Sequence, residues 1–390
     1  MHAQPPSPRF ASDAINISRL LCILGVIYIH AWTGLTGDRL AAAAGGGQGA
    51  FRWVLVELLS RSAVPLLGVI SGWLVAGSAE RRPYAAFMAG KVKTLLVPML
   101  LWNLIAMILV CGAASLGWLS APRPQGLWWT VDELFCLTGT NDVNVQMYFL
   151  RDIFVCMAAA PLLIRLPDRA LAAVGVAAAV WFVADWNLYV LLKPQILLFV
   201  VLGILARRRG WESRLGAAPW LIAAAPFALV APVKIAVAIR GGDAFAAHPH
   251  LVNSLDLLLR LSAAALAWRA AAALARSAAN RTLQGLAPLA FLLFCSQLVF
   301  IWFGGPIIGG LTGPLGAPAY PLFLLLQPLL VLGAAMALQA MLQAFAPEAL
   351  AVLSGRRGGA GSLALRTPGR PSARPAPAPD RLATAGPRGG

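Results

Sequence analysis

The sequence predicts an all-α, polytopic integral membrane protein of about ten transmembrane helices, and two observations carry that prediction. Hydrophobic residues make up 59% of the 390-residue chain and charged residues only 12%, too few to wet the surface of a soluble protein of this size. Several apolar runs approach or exceed the roughly 20 residues a helix needs to cross a bilayer, and the alternation of a transmembrane barrel is absent.

The elements follow in order. Met1 to Ala14 is polar and proline-bearing, a short N-terminal segment expected on the cytoplasmic side. The apolar stretch after it is too long for a signal-peptide core and no small-residue cleavage site follows, so it reads as an uncleaved first span at about Ile15 to Leu35. Ala41 to Ala50 is a glycine and alanine linker. The second span, about Phe51 to Val75, contains Pro65, Gly68 and Gly72 and is expected to kink. A basic connection from Glu80 to Lys93 leads to a third span at about Thr94 to Leu116, and Gly117 to Gln146 is a long polar loop. Further spans are expected at about Met147 to Ile164, Ala170 to Ala184, Leu188 to Ala206, Pro219 to Ile239, Leu255 to Ala275, Leu286 to Ile308 and Tyr320 to Ala344. The spans make one membrane domain over 15–346. From 355 to 390 the chain is Gly, Pro, Ala and Arg with almost no large apolar residue, which reads as a disordered cytoplasmic tail.

Charge sets the expected orientation. With the N-terminus inside, most of the 31 Lys and Arg residues fall in inner segments, and the outer loops hold only Arg39, Arg52, Arg123, Lys193 and Arg240. Both termini are therefore expected on the cytoplasmic side. The net charge of +16 does not point to nucleic acid, because the basic residues lie in short loops and a tail with no basic stripe on a polar domain. The five cysteines are scattered, all but Cys136 in predicted spans, with no disulfide framework or paired metal ligands. His248 and His250 with Asp243 only faintly suggest a metal site, and none is expected.

The candidate chemistry starts with Arg19 and His30. Eleven residues apart on a helix, they lie about 20° apart in azimuth and roughly 16 Å apart along the axis, on one face at two depths. Ionisable groups in a span are costly and usually face a polar path. His30 can take and return a proton near neutral pH. Arg81, Arg82, Lys91 and Lys93 can clamp phosphate oxygens, or serve only as the positive-inside signal. Arg151 and Asp152 can hold a polar substrate or form a local pair. Glu57, Arg61, Lys234 and Arg260 are further charges inside spans, which must face a cavity or one another.

In these segments the chain resembles the membrane acyltransferase family 3. Arg19 and His30 match its Arg/Lys-x10-His motif. Val64-Pro65-Leu66-Leu67-Gly68-Val69-Ile70-Ser71-Gly72-Trp73-Leu74 is similar to its proline-containing stretch ending in Ser-Gly-aromatic-Leu. Lys91 to Trp102 resembles its basic third helix with Pro98 and Trp102, and Met147 to Asp152 its aromatic-Leu-Arg motif. The chain departs from the pattern at Asn16, where the family often has an acidic residue, and at Gln297, where it often has histidine.

The resemblance implies a bacterial inner-membrane O-acyltransferase that moves an acyl group, acetyl for preference, from cytoplasmic acyl-CoA to a hydroxyl of an envelope or exported polysaccharide or glycolipid. The implied partners are the lipid bilayer, acyl-CoA as donor substrate and a glycan acceptor, with no tightly bound cofactor. His30 would be general base or transient acyl carrier; Arg19, Arg81, Arg82, Lys91 and Lys93 would bind the donor, and Arg151 and Asp152 the acceptor. A transporter or flippase also needs buried charge and interrupted helices, but no second-half repeat of the Arg19 to His30 pattern is present.

Overall fold

The computed structural model describes residues 8–78, 83–240 and 248–356. Ten long helices correspond to the ten expected spans: α1 (Phe10–Ile29), α2 (Gly47–Ala76), α3 (Tyr84–Ser115), α4 (Val145–Leu163), α5 (Asp168–Val183), α6 (Gln195–Arg209), α7 (Trp220–Ile239), α8 (Pro249–Leu274), α9 (Asn280–Thr312) and α10 (Tyr320–Phe345). Among the described residues no strand is present, and all but α5 and α6 are long and apolar enough to cross a bilayer. The chain is an all-α, multi-pass membrane protein. Its outward surface confirms the solvent: on α7, Leu221, Ile222 and Leu229 are largely exposed, which water would penalise and lipid does not.

The first span is shorter than expected. α1 stops at Ile29 instead of running to Leu35, because the backbone of Trp32 is taken over by α10. Gln327 Oε1 accepts from Trp32 N–H at 2.8 Å, while Gln327 Nε2 and Tyr320 Oη both donate to Trp32 O. This clamp replaces the next turn of helical bonds and fixes His30 at the helix end, with His30 N–H still donating to Val26 O and Ile27 O.

The expected kink in the second span also lies elsewhere. The irregular part of α2 is upstream of Pro65, a π turn at Val54–Leu59 followed by a 3-10 turn at Ser60–Ser62. Regular helix restarts at Ala63, so Pro65 falls in a first turn, where a missing N–H costs no bond. Ser60 Oγ donates to Leu55 O at 2.7 Å and satisfies one carbonyl the distortion leaves over. α3 repeats the device, with a π turn at Val92–Leu96 and then Pro98 near the start of regular helix.

α2 and α6 are packed most closely, and glycine is the reason. A Cβ at Gly68 would lie 2.7 Å from Phe199 Cβ, and one at Gly203 would lie 2.8 Å from the backbone nitrogen of Trp73. Small residues let two membrane helices approach until backbones touch. Gly72 of the Ser-Gly pair belongs to this seam, while its neighbour Ser71 faces a cavity on the other side of α2.

Two segments are more ordered than their composition suggests. The loop between α3 and α4 contains a helix, Leu127–Phe135, and folds around its own acidic side chains. Asp132 accepts from the N–H groups of Leu137 and Thr138, both at 2.8 Å, and from the hydroxyl of Thr140. Burial alone would raise the Asp132 carboxyl; the hydrogen bonds from Thr138, Thr140 and Leu137 outweigh it and hold the carboxyl below the ordinary range. After α10 the short helix Pro347–Leu353 packs on α3, where Trp102 Nε1 donates to Leu353 O at 3.0 Å. The expected tail lies outside the described residues, apart from Gly355 and Arg356.

Candidate active site

The face of α1 predicted to carry Arg19 and His30 lines two cavities. The larger, about 420 Å³, lies toward the N-terminal end of α1 and is bordered by Asn16, Arg19 and Ile23 from α1, Leu67 and Ser71 from α2, and Leu95 from α3. Gln284 at the start of α9 and the C-terminal Ser354, Gly355 and Arg356 complete its polar rim. Arg19 makes no ion pair with any described residue, so its guanidinium is left to the cavity. Asn16, the departure from the acidic pattern, donates to Gln284 Oε1 at 3.0 Å, and Gln284 in turn donates to Asp13 O.

The smaller cavity, about 60 Å³, contains His30. Val26 and Ile29 of α1, Arg61, Val64 and Leu67 of α2, Gln146, Tyr148 and Phe149 of α4, Arg260 of α8 and Phe294 of α9 surround it. Leu67, Phe149 and Phe294 border both cavities, so three apolar side chains are the partition between the Arg19 space and the His30 space. Along α1 the lining residues are 16, 19, 23, 26, 29 and 30, the spacing of one helix face.

Beyond His30 lies a third, polar cavity of about 530 Å³, which shares Tyr148 with the histidine cavity. Its walls are Thr138 to Asn141 of the α3–α4 loop, Trp181 and Phe182 of α5, Asp185 to Asn187, and Leu192 to Pro194 with Gln195 at the start of α6. Aromatic faces with hydroxyl, amide and charged groups among them suit a sugar chain, which presents both C–H faces and hydroxyls.

The other predicted site residues are placed as follows. Arg151 and Asp152 do not project as free groups. Arg151 donates to Tyr189 O and Val190 O at 2.7 Å each and pairs with Asp152 at 2.8 Å, while Asp152 accepts from the N–H groups of Leu192 and Lys193. Together they strap the segment between α5 and α6 that walls the third cavity; they shape that wall. Lys91 and Lys93 precede Leu95 on α3 but do not line the Arg19 cavity; Lys91 stacks over Phe87 and Lys93 is exposed. Arg81 and Arg82 lie outside the described residues, as does Asp243. Ser71 Oγ donates to Leu67 O, and His250 Nδ1 lies 2.9 Å from Val183 O. Gln297 is fully buried, with Nε2 donating to Phe294 O and Oε1 unpartnered.

Sequence reasoning saw the four intramembrane charges of α2, α7 and α8 but not their grouping. Arg61 pairs with Glu57 at 2.7 Å, Lys234 with Asp256, and Arg260 lies 3.6 Å from Asp256. That Arg61 and Arg260 both reach the His30 cavity from different helices is legible only in three dimensions. Arg356 was hidden for another reason, because it begins a stretch whose composition reads as tail.

Comparison with known proteins gives the same answer from the whole chain. The family model described as an acyltransferase domain matches residues 12–338. A curated relative, the succinoglycan biosynthesis protein ExoH of Rhizobium meliloti (strain 1021), is 28% identical over 383 residues, covering 92% of this chain and 95% of its own. No solved structure matches. The chain belongs to this acyltransferase family and is a membrane acyltransferase.

Proposed function

We propose that this acyltransferase carries an acyl group across the membrane plane, from acyl-CoA bound on the cytoplasmic side in the Arg19 cavity to a hydroxyl of an exported polysaccharide in the outer cavity. The observation that carries the reading is the order of cavities: an unpaired arginine in the first, a histidine in the second, a polar aromatic-walled space in the third, with side chains shared at each junction. The relative's part in succinoglycan biosynthesis supports a polysaccharide acceptor. The excess of Lys and Arg in the inner segments supports a bacterial inner-membrane orientation with both termini inside.

In this reading Arg19 and Arg356 hold donor phosphates as planar forks, with Lys91 and Lys93 near the entrance. The acyl thioester passes Leu67, Phe149 and Phe294 to reach His30. There the imidazole takes the proton of the acceptor hydroxyl as its oxygen attacks the thioester carbonyl. The C–S bond breaks, and the sulfur leaves with the proton that His30 returns. Acetyl, the smallest common acyl group, fits the narrow passage. The outer cavity, shaped by the Arg151–Asp152 strap, orients the acceptor.

The test is purified full-length protein in sealed vesicles, with acetyl-CoA on the side bearing the basic loops and an oligosaccharide acceptor on the other. Ester formed on the acceptor, with release of free coenzyme A, is the expected result. Folded protein that forms ester only when donor and acceptor share a side, or that neither transfers nor releases coenzyme A, overturns the reading.

A further inference from the structure

In the charge group that reaches the His30 cavity, the partly buried charges do not balance. Arg61, Arg260 and Lys234 are positive, and the carboxylates facing them are Glu57 on α2 and Asp256 on α8. The neighbouring Arg151–Asp152 pair is closed on itself. One positive charge is therefore left over within the membrane region, where a lone charge costs on the order of 2.5 kcal/mol or more. Arg61 and Arg260 bring guanidiniums from two helices to the wall of one cavity, beside His30. That cavity also holds a second unmet demand: Gln146 is among its lining residues, and Gln146 Oε1 is buried without a hydrogen-bond partner. A surplus cation calls for an anion, and an orphaned amide oxygen calls for a hydroxyl.

We infer that Arg61 and Arg260 form a carboxylate subsite of the His30 cavity, so that the species reacting there carries an anionic group within a few bonds of the reacting centre. The inference rests on the reading of this cavity as the place of acyl transfer. Paired guanidinium forks match a carboxylate in geometry as well as charge. The space, about 60 Å³, has room for a few water molecules, and so for a carboxylate with its adjoining carbons. The carboxylate has two possible carriers: an acidic sugar of the acceptor, or the acyl group itself in a dicarboxylic thioester.

Occupancy can be read without catalysis. In full-length protein in vesicles, diethyl pyrocarbonate modification of His30 is followed by mass spectrometry with succinate or its neutral diamide present. Succinate should protect His30 at a concentration at least about tenfold lower than the diamide, a difference of ~1.4 kcal/mol. Arg260→Gln should abolish that preference and Arg260→Lys should keep part of it. The Gln variant leaves Asp256 paired with Lys234, so it does not strand a partly buried carboxylate. Equal protection by acid and diamide, or a preference unchanged in Arg260→Gln, overturns the subsite.

Transfer assays then identify the carrier. A drop of at least about tenfold in Arg260→Gln, confined to acceptors containing uronic acid with acetyl-CoA as donor, places the carboxylate on the acceptor. The same drop confined to malonyl-, succinyl- and glutaryl-CoA, with a neutral acceptor, places it on the acyl group. An equal drop for acetyl transfer to a neutral acceptor assigns the arginines to charge formed during reaction and overturns the subsite. Absence of transfer from every thioester counts against the proposed function alone, because the protection experiment still reads the subsite.

Discussion

Replacing His30 and Arg19, singly and together, tests the division of labour between the two cavities. A positioned general base contributes about 10² to 10⁴ in rate, so His30→Gln should lower kcat at least about a hundredfold, or ~2.7 kcal/mol of transition-state stabilisation. Donor KM should stay within about twofold. The substitution leaves the helix end intact, because the clamp there runs through the backbone of Trp32 and not through the histidine ring. Arg19→Gln should do the reverse. A charge-assisted contact to phosphate is worth about 1.5 to 3 kcal/mol, which raises donor KM by about 10- to 150-fold while kcat at saturation is largely kept. The side chains belong to separate cavities, and their positions on α1 are roughly 16 Å apart. Effects of residues that distant add within about 0.5 kcal/mol, so the double variant should lose at least about 4 kcal/mol in kcat/KM. The assay is steady-state transfer from acetyl-CoA in vesicles, with insertion checked by protease protection. A correctly inserted His30→Gln protein with wild-type kcat would remove the histidine from the chemistry. A double variant no worse than the weaker single would show that the two cavities do not act as separate sites.

Three further outcomes follow from packing and strapping. Gly203→Ala should lower thermal stability in detergent by about 1 to 3 kcal/mol, since its methyl would meet the Trp73 backbone, whereas Gly304→Ala, with nothing within 4 Å, should be near neutral; equal effects would refute the glycine seam. Truncation after Arg356 should leave transfer close to normal, while removal from Pro347 onward should raise donor KM and destabilise α3 through the lost Trp102–Leu353 bond, as steady-state kinetics and melting curves would show. Asp132→Asn should make the α3–α4 loop cleavable by externally added protease; in the parent protein the stabilisation from the lowered Asp132 carboxyl is present above its unfolded pKa of about 3.9 and lost as pH falls through the lower folded value. A loop equally resistant at pH 6 and pH 3 would refute Asp132 as its anchor.

Much of this was legible in the chain itself. Spans are dictated locally: each must satisfy its own backbone bonds in hydrocarbon, so a run of some twenty apolar residues becomes a helix whatever its neighbours are. Eight of the ten expected segments hold such a helix for that reason, and the other two hold the shorter α5 and α6. Helical periodicity likewise put Arg19 and His30 on one face of α1 before any neighbour was known, and the ordered motifs indicated the family. What the sequence left open depends on contacts between distant residues. α1 ends at Ile29 because Gln327, nearly three hundred residues on, takes over the Trp32 backbone. Arg151 and Asp152 look like a binding pair until the carbonyls of Tyr189 and Val190 occupy the guanidinium. Arg356 reads as the start of a polar tail until the helix at Pro347–Leu353, docked on α3, places it on the rim of the Arg19 cavity. The meeting of Arg61, Arg260 and His30 joins three helices, and no local pattern encodes it, since charge balance in a bundle interior is a property of the packed assembly and not of any one span.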